Sequence, residues 1–291
     1  MPEDAHVRRI GARTFDFSRQ VAVMAIVNRT PDSFYDKGAT FALDKAVEAA
    51  VRAAAHGADW VDIGGVPFGR GPAVSEAEEI DRVVPVVTAI AEASDVVISV
   101  DTFNAEVARL SIEAGAGVIN DTSGLFDPRM AGVVARSDAT LVLTHSLQPP
   151  RSEPPRPRYG DVVAEVRSFL VRKLDEAVAA GIPLERLIVD PGHDLNKNTL
   201  HSLELTRRLD EIVSIGPPTL AAISNKDFIG ESLDREQGRR LEGSLAVAVI
   251  CIMKGARIVR MHDVAAAVDA VRMTETVMGW REPAHVRHNA E

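Results

Sequence analysis

The chain has 291 residues, 46% hydrophobic and 4% aromatic, which is enough for one sizeable core filled mainly by aliphatic side chains. Its formal net charge of −9 argues against a general nucleic-acid binder, which needs a basic surface. The single cysteine, Cys251, excludes an intrachain disulfide and reads as a buried small hydrophobe; no apolar run reaches the roughly 18 residues of a membrane span, so a cytoplasmic protein is expected.

A short hairpin is expected over about residues 6–17. Eight apolar strand candidates follow, at residues 21–28, 60–64, 96–101, 117–121, 140–145, 186–190, 219–224 and 257–262. Helical periodicity separates them at 43–56, 76–93, 105–114, 128–136, 161–180, 200–212 and 243–254, and a last helix runs over about 264–280. The strands lack polar alternation, as parallel strands covered on both faces do. Four junctions repeat one pattern: AAAHGADWVDIGG, IEAGAGVINDTSG, VAAGIPLERLIVDPG and CIMKGARIVRMHDV. In each, a helix-like run ends in glycine, the residue best suited to a left-handed turn, and a strand begins at once. Eight strands alternating with eight helices is the count of a (β/α)8 TIM barrel, and a doubly wound open sheet is the competing arrangement. One domain is expected over residues 1–280, with 281–291 as a flexible tail.

Three strand-to-helix loops are long: residues 28–41, 66–75 and 146–160. All three fall on the C-terminal face, where such loops act as lids or substrate covers; the Pro/Arg-rich third one reads equally as a solvated linker. Strand C-termini carry the chemistry of an α/β fold, which singles out Asp62, Asp101, Asn120, Asp121, Asp190, Arg260 and His262. Asp101, Asn120, Asp190 and Lys226 would converge in the barrel mouth and offer donors and acceptors around a small planar ring. A ring with an amidine-like edge suits a buried carboxylate, because two N–H groups can bind it together. Arg260 and His262 close the eighth strand, where barrels often keep a phosphate site. Asn28 ends the first strand and offers a hard oxygen to Mg²⁺ carried by a substrate phosphate. Asp62 and Asp121 read equally as loop-bracing caps. Nucleophile-elbow, zinc-ligand, Walker and dinucleotide patterns are absent from the sequence.

The stretch MAIVNRTPDSFYDKG resembles the first signature of dihydropteroate synthases, close to M-G-I-x-N-x-T-P-D-S-F-x-D-G-G. The likeness continues in order through GADWVDIGG, ISVDTFNAEVARLSIEAGAGVINDTSG, IVDPG, SNKDFIG and RIVRMHDV. Members of that family join a dihydropterin methyl pyrophosphate to p-aminobenzoate and release pyrophosphate with Mg²⁺. The resemblance implies that Asp101, Asn120, Asp190 and Lys226 hold the pterin ring, with Arg260 against it. It places Arg260, His262 and Asn28 at the pyrophosphate, and Asn28 at the metal. Phe34 and Asp36 would close over the reacting carbon, where Asp101 or Asp36 stabilises a cationic pterin methyl group. Asp101, Asp36 and Lys226 are the implied catalytic set, and a homodimer built on the apolar last helices is the implied assembly. The intact TPDSF loop separates the chain from methyltetrahydrofolate-type pterin domains.

Several positions depart from the family pattern. VPFGRGP stands where E-S-T-R-P-G is usual, so the Thr-Arg pair that orders the second loop around pyrophosphate is missing; Arg70 is the nearest replacement. Arg29 replaces a small apolar residue, GHDLNK stands for G-I-G-F-x-K with Leu195 in place of an aromatic, and Thr144-His145 stands for Met-His. In S-R-K-S-F the family places a serine whose hydroxyl, with a helix start, receives the aminobenzoate carboxylate; here that residue is Asp227. Two carboxylates about 4 Å apart repel by roughly 4 kcal/mol at an effective dielectric of 20, worth up to about three decades of affinity. Asp227 also reads as a helix cap. The expectation is a pterin pocket without ordinary condensation activity. The alternative is a working, divergent synthase in which Arg70 and the Arg-rich loop supply the phosphate contacts.

Overall fold

The four repeated junction glycines all adopt the left-handed conformation: Gly57 at φ +91°, Gly115 at +115°, Gly181 at +103° and Gly255 at +107°. A side chain is strained there, so glycine lets each helix stop and the chain turn back into the sheet. The structure is a computed structural model and describes residues 6–28, 39–66, 71–148, 151–152 and 156–288.

An antiparallel hairpin, β1 (Val7–Ile10) and β2 (Arg13–Asp16), precedes the barrel. The barrel strands are β3 (Ala22–Asn28), β4 (Trp60–Gly64), β5 (Val97–Asp101), β6 (Val118–Asp121), β7 (Thr140–Thr144), β8 (Leu187–Asp190), β9 (Leu220–Ala222) and β10 (Ile258–Met261). Between and after them run α1 (Ala39–Ala55), α2 (Glu76–Ala93), α3 (Ala105–Glu113), α4 (Met130–Ala135), α5 (Val162–Ala179), α6 (Thr199–Arg207), α7 (Leu209–Val213), α8 (Asp227–Leu233), α9 (Leu241–Met253) and α10 (Val264–Val277). All barrel neighbours pair in parallel in the order β8-β7-β6-β5-β4-β3-β10-β9, and a Val189–Thr219 bridge draws the two edges together. This is the expected nearly closed (β/α)8 barrel with its hairpin.

Strand bounds fall within two residues of the sequence reading. The helices differ in two places. The segment read as one helix over 200–212 breaks at Arg208 into α6 and α7, and α8, expected only as a helix capped by Asp227, had been given no bounds. At seven residues, α8 is shorter than the window of about 11–18 residues over which apolar periodicity is read. Helix starts are set by side-chain caps where the sequence offers them: Ser75, Asn104, Asp161, Asn198 and Asp263 each accept an amide of the first turn. Among the described residues, no helix is long and apolar enough to cross a membrane.

Alternation along the strands divides the core in two. Outward residues such as Val23, Ile63, Val100 and Leu141 pack under the helices. Inward residues Met24, Trp60, Val97, Val118, Ile188 and Ile258 fill the lower barrel, and Ile10, Phe15 and Phe17 of the hairpin pack with them as its floor. Two residues further along five of these six strands, the same face carries Asp62, Ser99, Asn120, Asp190 and Arg260, and Ile26 on the sixth. An apolar layer therefore lies directly beneath a polar one.

Candidate functional site

The polar layer is organised by a residue that the sequence left between bracing and chemistry. Asp62 is fully buried and accepts hydrogen bonds from Ser99 Oγ at 2.6 Å, Asn120 Nδ2 at 3.1 Å and Arg260 Nε at 2.6 Å. A buried carboxylate needs this number of donors, because desolvation alone costs several kcal/mol. Strand register brings the partners together, since Asp62 lies opposite Ser99 and Asp101 lies opposite Asn120. Arg260 also reaches Asp101 at 3.5 Å, and Thr122 Oγ1 donates to the same carboxyl group at 3.1 Å. Burial and the neighbouring Asp62 carboxylate push Asp101 up to about 6 against the pull of Arg260 and Thr122.

Above this layer opens a cavity of about 360 Å³. Asp101, Asn120, Asp190, Lys226, Arg260 and His262 all line it, so six predicted strand-end residues do share one pocket. Asn120 must point its amide nitrogen at the Asp62 carboxylate, which leaves its Oδ1 buried without a hydrogen-bond partner. Such an acceptor costs about 1–3 kcal/mol unless a donor meets it. Asp190 accepts the Gly192 amide at 2.7 Å, and burial raises its pKa against that bond and the nearby Lys226 ammonium. Burial lowers the pKa of Lys226, while Asp194 and Asp190 oppose that shift. The Ser224 hydroxyl accepts the His262 amide at 3.1 Å and lies 3.0 Å from His262 Nδ1. Burial, then the Arg260 and Lys226 charges, depress His262.

The other flank of the cavity holds a difference from the sequence reading. Asp227 does not place its carboxylate over the start of α8. Its side chain is 82% exposed and pairs with Arg240 at 2.8 Å. Asp194 holds that place instead: its Oδ2 accepts the Asp227 amide at 2.6 Å and the Phe228 amide at 3.4 Å. Ser202 Oγ donates to Asp194 Oδ1 at 3.0 Å and accepts the Asp194 amide at 3.2 Å, which fixes the group from the opposite side. The cap comes from 33 residues away, so Asp227 is the first residue of the helix and not its cap. The available signal was an aspartate in GHDLNK at a position where the pattern expects glycine. Asp194 and Asn196 take φ values of +64° and +54°, which glycine adopts freely and Asp or Asn tolerate.

Asp121 turns out to be a brace: it accepts the Ser123 and Leu125 amides at 2.8 and 3.0 Å. His145 and Lys197 form a second support, with Lys197 Nζ at 2.9 Å from His145 Nδ1, Gly192 O and Leu195 O. Phe34, Asp36, Arg29 and Arg70 lie outside the described residues, as does the side chain of Asn28. Among the described residues, no group of three or more His, Cys, Asp or Glu is arranged to hold a metal ion.

Residues 24–262 match the family model described as pterin binding enzyme. The chain is 46% identical over 267 residues to the inactive dihydropteroate synthase 2 of Mycobacterium leprae (strain TN), covering 90% of this chain and 92% of that one. It is 41% identical over 261 residues to the dihydropteroate synthase of Escherichia coli (strain K12), covering 89% and 93%. The solved structure of Xanthomonas albilineans dihydropteroate synthase with 4-aminobenzoic acid matches it with a TM-score of 0.87 at 39% identity, over 94% of this chain and 98% of that one.

Proposed function

The chain belongs to the family of pterin-binding enzymes, and from that premise we propose that it keeps a working pterin pocket but does not carry out ordinary condensation with p-aminobenzoate. The observation that carries the pterin half is the orphaned Asn120 Oδ1 beside the Asp190 carboxylate and the Lys226 ammonium in one cavity. A reduced pterin offers ring N–H groups to the two acceptors and a ring carbonyl to the ammonium. The N–H donated to Asn120 Oδ1 would remove the penalty of that buried, unpaired acceptor. Arg260, held between Asp62 and Asp101, would present its face to the ring and its free edge to a phosphate. Asn28 and His262 would complete the phosphate end. Mg²⁺ belongs to the same proposal: it would arrive with a pyrophosphate, sit at Asn28 and neutralise charge on the leaving group.

Loss of condensation is supported by the residues that depart from the synthase pattern. The second loop lacks its Thr-Arg pair, and identity is higher to a relative named inactive than to a working synthase. A homodimer through α9 and α10 is part of the same reading, supported by Met253, Met273 and Val277, which expose 64%, 59% and 72% of their surface. A second reading, an active divergent synthase, is favoured by Arg151. Its guanidinium crosses from the third loop to donate to Pro72 O at 3.3 Å, beside the altered second loop.

Purified protein with dihydropterin pyrophosphate, Mg²⁺ and p-aminobenzoate separates the two readings. Calorimetric binding of the pterin with negligible turnover is expected. Turnover at about 1 s⁻¹ or more, an ordinary enzymatic rate, would establish the second reading.

A further inference from the structure

We infer that Thr144 and His193 determine which ring this pocket selects: they form a polar wall that prefers a pterin whose pyrazine half is a lactam, with an N–H beside a C=O, over the plain ring. This preference presupposes the proposed pterin pocket and concerns the half of the ring that Asn120, Asp190 and Lys226 do not engage. Both residues line the cavity, and both are polar where the synthase pattern is apolar, Thr144 standing for Met and His193 for Ile. Thr144 is 1% exposed and His193 is fully buried, yet Thr144 Oγ1 and His193 Nδ1 have no hydrogen-bond partner among the described residues. The two sit on adjoining segments. Thr144 lies opposite Asp190 in the strand register, and a Cβ at Gly192 would fall 3.4 Å from Thr144 Cγ2 and 2.4 Å from His145 O.

The hydrogen-bonding role of each atom follows from its surroundings. Thr206 Oγ1 donates its one proton to Ser202 O at 2.9 Å, so toward His193 Nε2, 3.1 Å away, it accepts. That assigns the imidazole proton to Nε2 and leaves Nδ1 a bare acceptor, in a ring stacked on Phe228 at 5.8 Å. Burial, then the Lys197 and Lys226 ammonium groups, depress His193 to about 3, so the imidazole is neutral near pH 7. Thr144 has a hydroxyl proton to give. One acceptor and one donor on adjoining segments match the N–H and C=O of a cyclic amide. On the proposed reading Asn120, Asp190 and Lys226 take the pyrimidine half of the ring, so the amide belongs to the pyrazine half. Room for its oxygen comes from the same departures, because threonine is shorter than methionine and Leu195 is smaller than the aromatic it replaces. A buried polar atom without a partner destabilises the fold, and one ligand edge that meets both atoms relieves both.

The test measures pterin, 6-oxopterin and 7-oxopterin by calorimetry on the full chain. At least one oxopterin should bind tenfold or more tightly than pterin. Thr144→Val keeps nearly the same shape without the hydroxyl. It should bring that oxopterin to within threefold of pterin, leave pterin itself within threefold of wild type, and hold or raise Tm, since an unpaired hydroxyl is removed. His193→Phe keeps a ring on Phe228 and removes the acceptor, so it should cut the preference too, and it carries the test if the valine variant fails to fold. Equal affinity of the wild type for the three rings overturns the inference and leaves the pterin reading standing. So does a preference that survives undiminished in either folded variant. Binding of none of the three rings overturns the pterin reading, and the inference falls with it.

Discussion

Replacing Arg260 by methionine keeps the length of the side chain and removes the one cation that both Asp62 and Asp101 share. Arg260 is 18% exposed and Asp62 is fully buried, so solvent does little to screen the pair. Charges about 4 Å apart attract by roughly 4 kcal/mol at an effective dielectric of 20, and breaking a buried pair from one side typically costs about 3–5 kcal/mol. A loss of that size is expected in urea unfolding near pH 8. The pH dependence is the sharper part. Asp101 already stands at about 6, through burial and the Asp62 carboxylate, against 3.8 in an unfolded chain. A raised folded-state value means that the native form binds the proton more tightly. Its contribution to stability is full below about 3.8 and is lost as the pH climbs through about 6. Without Arg260 that upper limit moves higher, because the cation that favours the ionised form is gone. The variant then recovers about 1.4 kcal/mol, relative to wild type, for each pH unit between its own value and that of the native protein. The Arg260→Met deficit at pH 5 should therefore be smaller than at pH 8 by about 1.4 kcal/mol or more. A deficit that is equal at the two pH values, or larger in acid, would refute the shared-cation account of this layer.

Lys197 gives the opposite slope. Burial drives its pKa down to about 7 from 10.5, so the unfolded chain binds a proton that the native chain does not, and stability should rise from pH 7 to 10.5 by about 1.4 kcal/mol per unit. Lys197→Met should abolish that rise when wild type and variant are unfolded in urea at pH 7 and 9; an unchanged slope would move its origin elsewhere. Phe15→Ala opens a cavity in the barrel floor, where the ring packs edge-on to Trp60 at 5.8 Å. It should cost about 3–5 kcal/mol and lower Tm by roughly 5–8 °C in a calorimetric scan, with pterin affinity within twofold because the floor is at the far end from the mouth.

The strands and their polar tips were readable because each rule involved is local. A left-handed glycine after a helix, an apolar run and a terminal Asp, Asn or Arg lie within about a dozen residues of one another in every repeat. Barrel closure then dictates that Asp101, Asn120, Asp190 and Arg260 face one pocket. Asp62 was visible as a strand-end candidate, but its importance was not. Whether it braces or reacts depends on Ser99, Asn120 and Arg260, which reach it across 37, 58 and 198 residues of sequence. The same problem hid the cap on α8. Periodicity cannot report seven residues of helix, and a cap supplied from another loop leaves no trace beside the helix it serves.

The division between what was legible and what was not follows the mechanics of the fold. Pocket residues on strand tips are held by the register of eight paired strands, and a one-residue slip would turn every inward side chain outward. Asp194, by contrast, sits in a loop where two non-glycine residues already tolerate positive φ. A loop can exchange a glycine for an aspartate without disturbing the sheet, and the new carboxylate finds its donors at the nearest helix start. On the proposed reading, the part of the site built on strands is therefore fixed by the sheet, while the part built on loops depends on single side-chain contacts such as those of Asp194. The two parts should accordingly fail separately: Asp194→Gly removes the cap from α8 and should leave the pH signature of Arg260 and Asp101 as it is in the wild type.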